Sequence, residues 1–488
     1  MTQIKLQEGQ AELPTPESTH SYWHHSPSPE LLGHHTTDEL PAEADVVVVG
    51  SGITGAFAAR ELVEGGRNVL MLEAREACWG ATGRNGGHCH PLIFVTKPNI
   101  AQFELDNYFF LRDFVRANQV PCDWKSTGAV CRLATEEEAQ AAKENVRLLR
   151  RHYPSLADKV IYVEDEQELG RLRVPWARAA VVHPHAAKLW PYKLVAWVLE
   201  TLLRRNESTT SRSRQVGSGS GSGSGRIRFN LQTNTPVTHL QRHGQSWVLH
   251  TPRGQVVAKQ VLLATNGYTS HLLPRMTDLI RPTRGQVAAL LPPAGHVPLE
   301  HTHIWSSAGA DDYLVQRDGD GVLILGGERS GDAAARSRTT RDDVLDPDIR
   351  ARLRRAVHGV IELRPGHDGG DPDELPAAYE WTGIMGYSRD GHPWVGQVPE
   401  TLGGADGGLF ISAGYTGHGM PAASMSGVAA AGMMLGRGGG GGGGGGGDVN
   451  LPPEFAITDE RVRQAARTVL PSTLEDEIRM NAFWIQKE

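Results

Sequence analysis

The sequence predicts an α/β fold in two parts, and three observations carry that prediction. The first is a buried strand, a glycine-rich turn, a helix and a second strand over residues 45–73. The second is a set of short alternating strands over 237–257, which interrupts the α/β pattern and leads into another buried strand at 260–263. The third is a pair of late glycine-rich loops, 383–396 and 408–420, the second feeding a helix of small residues. A chain of 488 residues is long enough for two domains with ample core.

The first unit is the most explicit. Val46, Val47, Val48 and Val49 run without alternation, which marks a strand buried on both faces. Gly50, Gly52 and Gly55 follow as G-x-G-x-x-G, with Ala56, Ala59, Leu62 and Val63 at helical spacing behind them. In such a unit the first glycine makes the tight turn and the second lets backbone approach a pyrophosphate. The third lets helix and strand pack closely. The phosphates then sit at the helix N-terminus, beside Ile53 and Thr54, where N–H groups and the dipole favour negative charge. Glu73 closes the next strand 23 residues after Gly50, with Ala74 beside it. A carboxylate there accepts hydrogen bonds from a ribose hydroxyl and repels a 2′-phosphate. The context predicts a bound dinucleotide, and this fingerprint alone admits NAD or FAD.

Bulk properties narrow the class. A net charge of −7 with no dominant basic stretch argues against a nucleic-acid binder. The four cysteines are too few and too irregular for a disulfide framework or a C-x-x-C zinc site. There is no apolar run of 18 residues and no signal-peptide core in residues 1–10, so a soluble, cytoplasmic protein is expected. Residues 1–44 read as an extended N-terminal arm. Its His24-His25 and His34-His35 pairs lack a fixed third ligand and are expected to be solvated; no metal site is predicted.

The remaining elements follow in order. Residues 79–91 form a polar, glycine-rich loop. Ile100, Phe103, Phe110, Leu111 and Phe114 mark one amphipathic helix, and a capping box at Thr135 and Glu138 opens a second. The stretch 206–225 is a Gly/Ser-rich insert, and the unbroken glycines of 438–447 are a surface expansion rather than a nucleotide loop. Between the inserts lies a three-stranded meander turning at His243-Gly244 and Pro252-Arg-Gly254. The strand 260–263 then ends in Ala264-Thr-Asn-Gly267. A last helix is expected around 458–470.

Four of these blocks together resemble the D-amino-acid oxidase/glycine oxidase/sarcosine oxidase superfamily of FAD-dependent oxidoreductases. They are the fingerprint, the loop Gly80-Ala-Thr-Gly-Arg-Asn-Gly-Gly87, the turn Ala264-Thr-Asn-Gly267, and the two late glycine loops. The 80–87 loop resembles the γ-glutamylputrescine oxidase-like branch. The resemblance covers roughly 44–436. It implies a Rossmann-like FAD-binding domain interleaved with a mixed-sheet substrate domain, the glutathione-reductase-type fold in its D-amino-acid oxidase-like form. The FAD-binding part would be 45–98, 181–282 and 381–436, and the substrate part 99–180 and 283–380. Residues 437–488 would be a glycine run and tail.

The resemblance also implies roles. Thr82, Gly83, Arg84, Asn85, Gly86, Gly87 and His88 would line the flavin and its ribityl chain, with Val237, Thr265, Asn266, Gly267 and Gly386 also at the cofactor. Gly414, Tyr415, Thr416, Gly417, His418, Gly419 and Met420 would bring the small-residue helix, with Pro421 near its first turn, to the pyrimidine end of the flavin. A helix N-terminus there stabilises the anionic reduced ring. Some relatives tether FAD through histidine, so a tether, if present, would use His88 or another residue. A cysteine tether near the late loops is excluded, since no cysteine follows Cys131. FAD is expected to be held non-covalently. His88 is a candidate base, or hydrogen-bonding support. Arg284, Trp305, Tyr313 and Arg329, in the strands roofing the flavin, are the pool for substrate contacts.

The implied reaction is oxidation of a C–N bond in a small amine or amino acid. Hydride passes to flavin N5, the imine hydrolyses, and O2 reoxidises the flavin to give H2O2. No paired acid/base set is needed, because the cofactor carries the redox step. Three alternatives stay open on sequence: a dehydrogenase of the same fold with another electron acceptor, an NAD-dependent enzyme, and a flavin-binding protein without turnover.

Overall fold

Four consecutive valines without alternation need apolar cover on both faces, and the computed structural model provides it. It describes residues 6–215, 228–307, 310–327, 338–367, 370–405, 407–437 and 449–467. The strand Glu43–Val49 is central in an eight-stranded sheet of the described residues, parallel to Gly254–Leu263 on one side and Val69–Leu72 on the other. Leu409–Ala413 and Phe229–Gln232 extend the parallel set, and Trp394–Gln397 closes one edge antiparallel. Val46 and Val48 pack with Ala56, Phe57, Leu62 and Ala430 of the helices Ile53–Glu64 and Ala423–Met434. Val47 and Val49 pack on the other face with Leu249 and Val256 of the meander. The meander is present as His239–His243, Ser246–Thr251 and Gly254–Leu263. Its third strand runs on without a break to become the parallel neighbour of Glu43–Val49, so the meander and the returning strand are one element.

A second, nine-stranded mixed sheet of the described residues faces the first across the site. Its path runs Ala377–Ser388, Ile280–Leu290, Leu323–Gly327, Ala310–Gln316, Thr302–Ser307, Lys125–Leu133, Ala179–Lys188 and His88–Cys89. The stretch expected to join the FAD-binding part at 181 therefore opens with a strand of the other sheet, and the expected return at 381 falls inside Ala377–Ser388. The helix Pro98–Asn118 carries the predicted aromatic face. The helix Glu136–His152 opens on the predicted capping box, Glu138 N donating to Thr135 Oγ1 and Thr135 N to Glu138 Oε2. Pro421 lies next to the first turn of the helix Ala423–Met434, one residue before its N-cap Ala422.

The arm differs from the expected extended, solvated segment. Tyr22 and Trp23 form a buried 3₁₀ turn, and His24 is enclosed rather than solvated, stacked on Trp79 with ring centroids 3.8 Å apart. Apolar rings set this: Tyr22 and Trp23 lose water by packing against Trp190 and Tyr379. Farther on, Thr36 N donates to Leu231 O, and the arm borders the strand Phe229–Gln232. The last described helix is Asp459–Ala465, capped by Thr458; the glycine run, the 217–225 repeat and the tail beyond 467 lie outside the described residues. No helix among the described residues is long and apolar enough to cross a membrane.

Candidate functional site

Both sheets border one cavity of about 370 Å³. A volume in that range is typical of small-molecule and cofactor sites. One side is the fingerprint. Gly50 has φ +103°, and a Cβ there would lie 2.7 Å from Ala264 O; one on Gly55 would lie 2.0 Å from Gly50 O. Only glycine fits either place. At Gly52 the sole neighbour within 4 Å of a built Cβ is Thr82 Oγ1, at 3.2 Å, so the backbone faces the cavity bare. Thr82 Oγ1 also accepts from Ile53 N at 3.1 Å, placing a hydroxyl at the helix N-terminus. Glu73 is held rigidly at the rim: Oε2 accepts from Ser51 N (2.9 Å) and Ser51 Oγ (2.6 Å), and Oε1 from Arg75 N (3.0 Å). Tyr268 lines the same wall with its hydroxyl buried and without a partner among the described residues. A bare backbone turn at a helix N-terminus, a fixed carboxylate and an unpartnered hydroxyl fit the ADP half of FAD.

The other side is formed by the second sheet and the late loop. His88 faces the cavity, with Nε2 2.8 Å from Thr302 Oγ1 and its ring stacked on His90 at 5.1 Å. His90 Nε2 lies 2.8 Å from His183 Nδ1. Burial, reinforced by His418, His303 and His183, lowers the His88 pKa to about 3, and His90 is lowered well below its ordinary value by burial and by His183. Both imidazoles are neutral at pH 7. Tyr313 lies between two glycines: a Cβ on Gly86 would meet its ring at 1.9 Å and one on Gly326 its hydroxyl at 2.2 Å. Burial and the neighbouring Asp312 raise its pKa. Trp305, Met385, His418 and Met420 complete this side.

The sequence-predicted residues divide accordingly. Ile53, Thr54, Ala74, Asn85, Gly86 and Val237 reach the wall, as do Thr265, Asn266, Tyr415, Gly417 and Gly419. Gly55, Gly83, Gly87, Gly267, Gly386, Gly414 and Thr416 do not line it. Several of them let segments behind the wall pack. Asn266 Oδ1 accepts from Gly414 N at 3.0 Å, and Thr416 N donates to Gly386 O at 2.8 Å. Arg84 reaches the wall, but its guanidinium is spent elsewhere. It donates to Thr382 O (2.6 Å), Ser18 Oγ (3.1 Å) and Thr19, and lies 3.6 Å from Asp342. Arg284 lies outside the wall and donates to Arg341 O, whereas Gly285, Gln286 and Val287 of the same strand line the cavity. Arg329 lies outside the described residues.

Some residues that shape the site were missed. Asn107, fully buried, donates to Met420 O at 3.1 Å and accepts from Met425 N at 3.0 Å and Ser424 Oγ at 2.5 Å, so it fastens the start of the helix Ala423–Met434. Glu104, one turn earlier, accepts from Leu92 N at 2.9 Å and sits 3.3 Å from His418 Nε2. Both are polar residues on the apolar face of Pro98–Asn118, and that misfit was the available signal. Asp342 binds Arg75 bidentately at 3.1 and 2.9 Å, a pairing across 267 residues that no local pattern announces. No group of three or more His, Cys, Asp or Glu among the described residues could hold a metal ion.

Known proteins agree with this architecture. The sequence model of the DAO family, FAD dependent oxidoreductase, matches residues 45–433. The chain is 23% identical over 418 residues to a probable oxidoreductase, OrdL, of Rhizobium meliloti, covering 81% of this chain and 84% of that one. It is 23% identical over 424 residues to gamma-glutamylputrescine oxidoreductase of Escherichia coli, covering 80% and 84%. The crystal structure of glycine oxidase from Geobacillus kaustophilus superposes with a TM-score of 0.60 at 19% identity, over 81% of this chain and 95% of that one.

Proposed function

The chain belongs to the DAO family of FAD dependent oxidoreductases, enzymes of the amine- and amino-acid-oxidising type; from that premise we propose that it oxidises a C–N bond of a small amine or amino acid to an imine and passes the electrons on to O2. FAD, when bound, supplies the two-electron acceptor. The chain's residues bind, orient and exclude water. Gly50, Gly52 and Glu73 hold the dinucleotide end, and Gly417, Gly419 and Met420 lie with the start of the helix Ala423–Met434 at the opposite side.

The observation that carries the reading is the pair of neutral, stacked histidines in the same cavity as the fingerprint. An amine is oxidised as the free base. The burial that keeps His88 and His90 uncharged also disfavours an ammonium ion, so the cavity favours the neutral amine, with the His88 ring, its Nε2 engaged by Thr302, as a hydrogen-bonding partner. The enclosed aromatic faces of Tyr313 and Trp305 suit the carbon skeleton beside it.

The test is direct. The purified protein is expected to be yellow, and acid precipitation to leave the colour in the supernatant. Anaerobic addition of polyamines, N-methyl amino acids or D-amino acids is expected to bleach the flavin in at least one case, with H2O2 formed on admitting air. Bleaching without peroxide would point to another acceptor, and no bleaching by any amine would sink the amine-oxidising reading.

A further inference from the structure

We propose that Leu13 and Pro14 of the N-terminal arm are part of the FAD site: the arm is a strap over the dinucleotide end of the cavity, and FAD enters or leaves only after its first stretch detaches. The proposal rests on the FAD reading above. Both residues line the cavity, although they precede the fingerprint by more than thirty residues.

Each side of this pair is pinned to a different part of the molecule. Upstream, Ala11 N donates to Ser270 Oγ at 2.9 Å, Ala11 O lies 3.1 Å from His271 Nδ1, and Gln10 Nε2 donates to His271 O at 3.2 Å. Downstream, Thr15 Oγ1 donates to Asp342 Oδ1 at 2.6 Å, Thr19 N donates to Asp342 O at 2.9 Å, and Arg84 holds Ser18 and Thr19. From Ala11 to Thr15 there are four Cα steps, about 14 Å at full stretch. So short a bridge has no slack to swing aside while both anchors hold.

The covered end can be located. His271 and Val237 both line the cavity, and the helix Thr269–Leu272 packs against the strand His239–His243. Thr235 N donates to Glu73 O and Asn234 N to Arg75 O, which joins this corner to the rim carboxylate. The strap therefore lies by Glu73, on the fingerprint side rather than with His88 and Tyr313. Its two anchors are unequal. The downstream one is a buried, charged node of Asp342, Arg75 and Arg84, whereas the upstream one consists of neutral hydrogen bonds. Opening runs from the N-terminal side and pivots at Thr15.

The experiment compares the full-length holoprotein with a variant lacking residues 2–14 and with Ser270→Ala. Thr15 onward is kept, so the Asp342 node survives. FAD release is followed as the rise in flavin fluorescence after dilution, and backbone amide exchange over residues 6–13 is measured with and without FAD. Release is expected to be at least about tenfold faster in the truncated chain, the equivalent of one buried aliphatic side chain. Ser270→Ala should accelerate it less, and exchange at 10–13 should slow when FAD is bound. Equal release rates, or exchange that ignores FAD, would make the arm a fixed wall and overturn the proposal. If circular dichroism shows that the truncated chain does not fold, Ser270→Ala and the exchange data decide. A full-length preparation with no flavin overturns the FAD reading itself, so the two failures are told apart.

Discussion

Asp342 shows how much one carboxylate holds here. Its fully buried side chain receives two bonds from Arg75 and one from Thr15, with Arg84 at 3.6 Å, and its backbone carbonyl receives Thr19. Burial already lowers the Arg84 pKa to about 10, with Asp342 working against that loss. Removing the carboxylate charge leaves guanidinium groups enclosed without a counter-charge, a loss of about 3–5 kcal/mol. We expect Asp342→Asn to lower the free energy of unfolding by that amount, read as a fall in the urea midpoint; an unchanged midpoint would contradict the role given to the node. Sequence reading put Arg84 at the cofactor because it lies in the glycine-rich loop. Its guanidinium turned away because the partner that claims it stands 258 residues downstream, beyond the reach of any local pattern. His24 was misread for the same reason: its polarity was visible, while the Trp79 that encloses it was not.

Elements were more legible than side chains. Unbroken valines, aromatic spacing and a capping box are local signals with local physical causes, and the strands and helices they announce are present. The start of the helix Ala423–Met434 was harder to read. Its N-cap position is Ala422, which offers no side-chain acceptor, and the cap comes instead from Asn107 on another helix. Asn107→Ala leaves Met425 N and Met420 O unpaired in a buried setting, a loss of about 1–3 kcal/mol. Thermal unfolding should show it. Because Gly417, Gly419 and Met420 line the cavity, flavin bound per polypeptide should fall in the same variant. Full flavin content with unaltered stability would mean that the helix start is fixed by other contacts.

At the scale of the molecule, several enclosed histidines set an acid limit. Burial lowers His24 to about 2, His88 and His183 to about 3 and His303 to about 4, with His90 also well below normal. An unfolded chain takes up protons at these rings below about pH 6.5, while the folded chain refuses them. Stability from their neutral state is thus complete above about pH 6.5 and drains as pH falls toward the folded values, by about 1.4 kcal/mol per pH unit for each ring. Urea titrations should give midpoints falling more steeply than one proton allows between pH 6 and pH 4.5. Level midpoints across that range would contradict the assignment. The interleaving of the chain has a separate consequence, for synthesis on the ribosome. Tyr415 bonds to Thr54, Asp342 to Arg75, and Gly427 packs where a Cβ would sit 2.3 Å from Thr54 O. The fingerprint unit is therefore finished by residues translated 361 positions later. Until then Val46, Phe57 and their neighbours lack the helix that covers them. A nascent chain this long in that state is a natural client for chaperones, and translation arrested before residue 408 leaves a product suited to degradation rather than to cofactor loading.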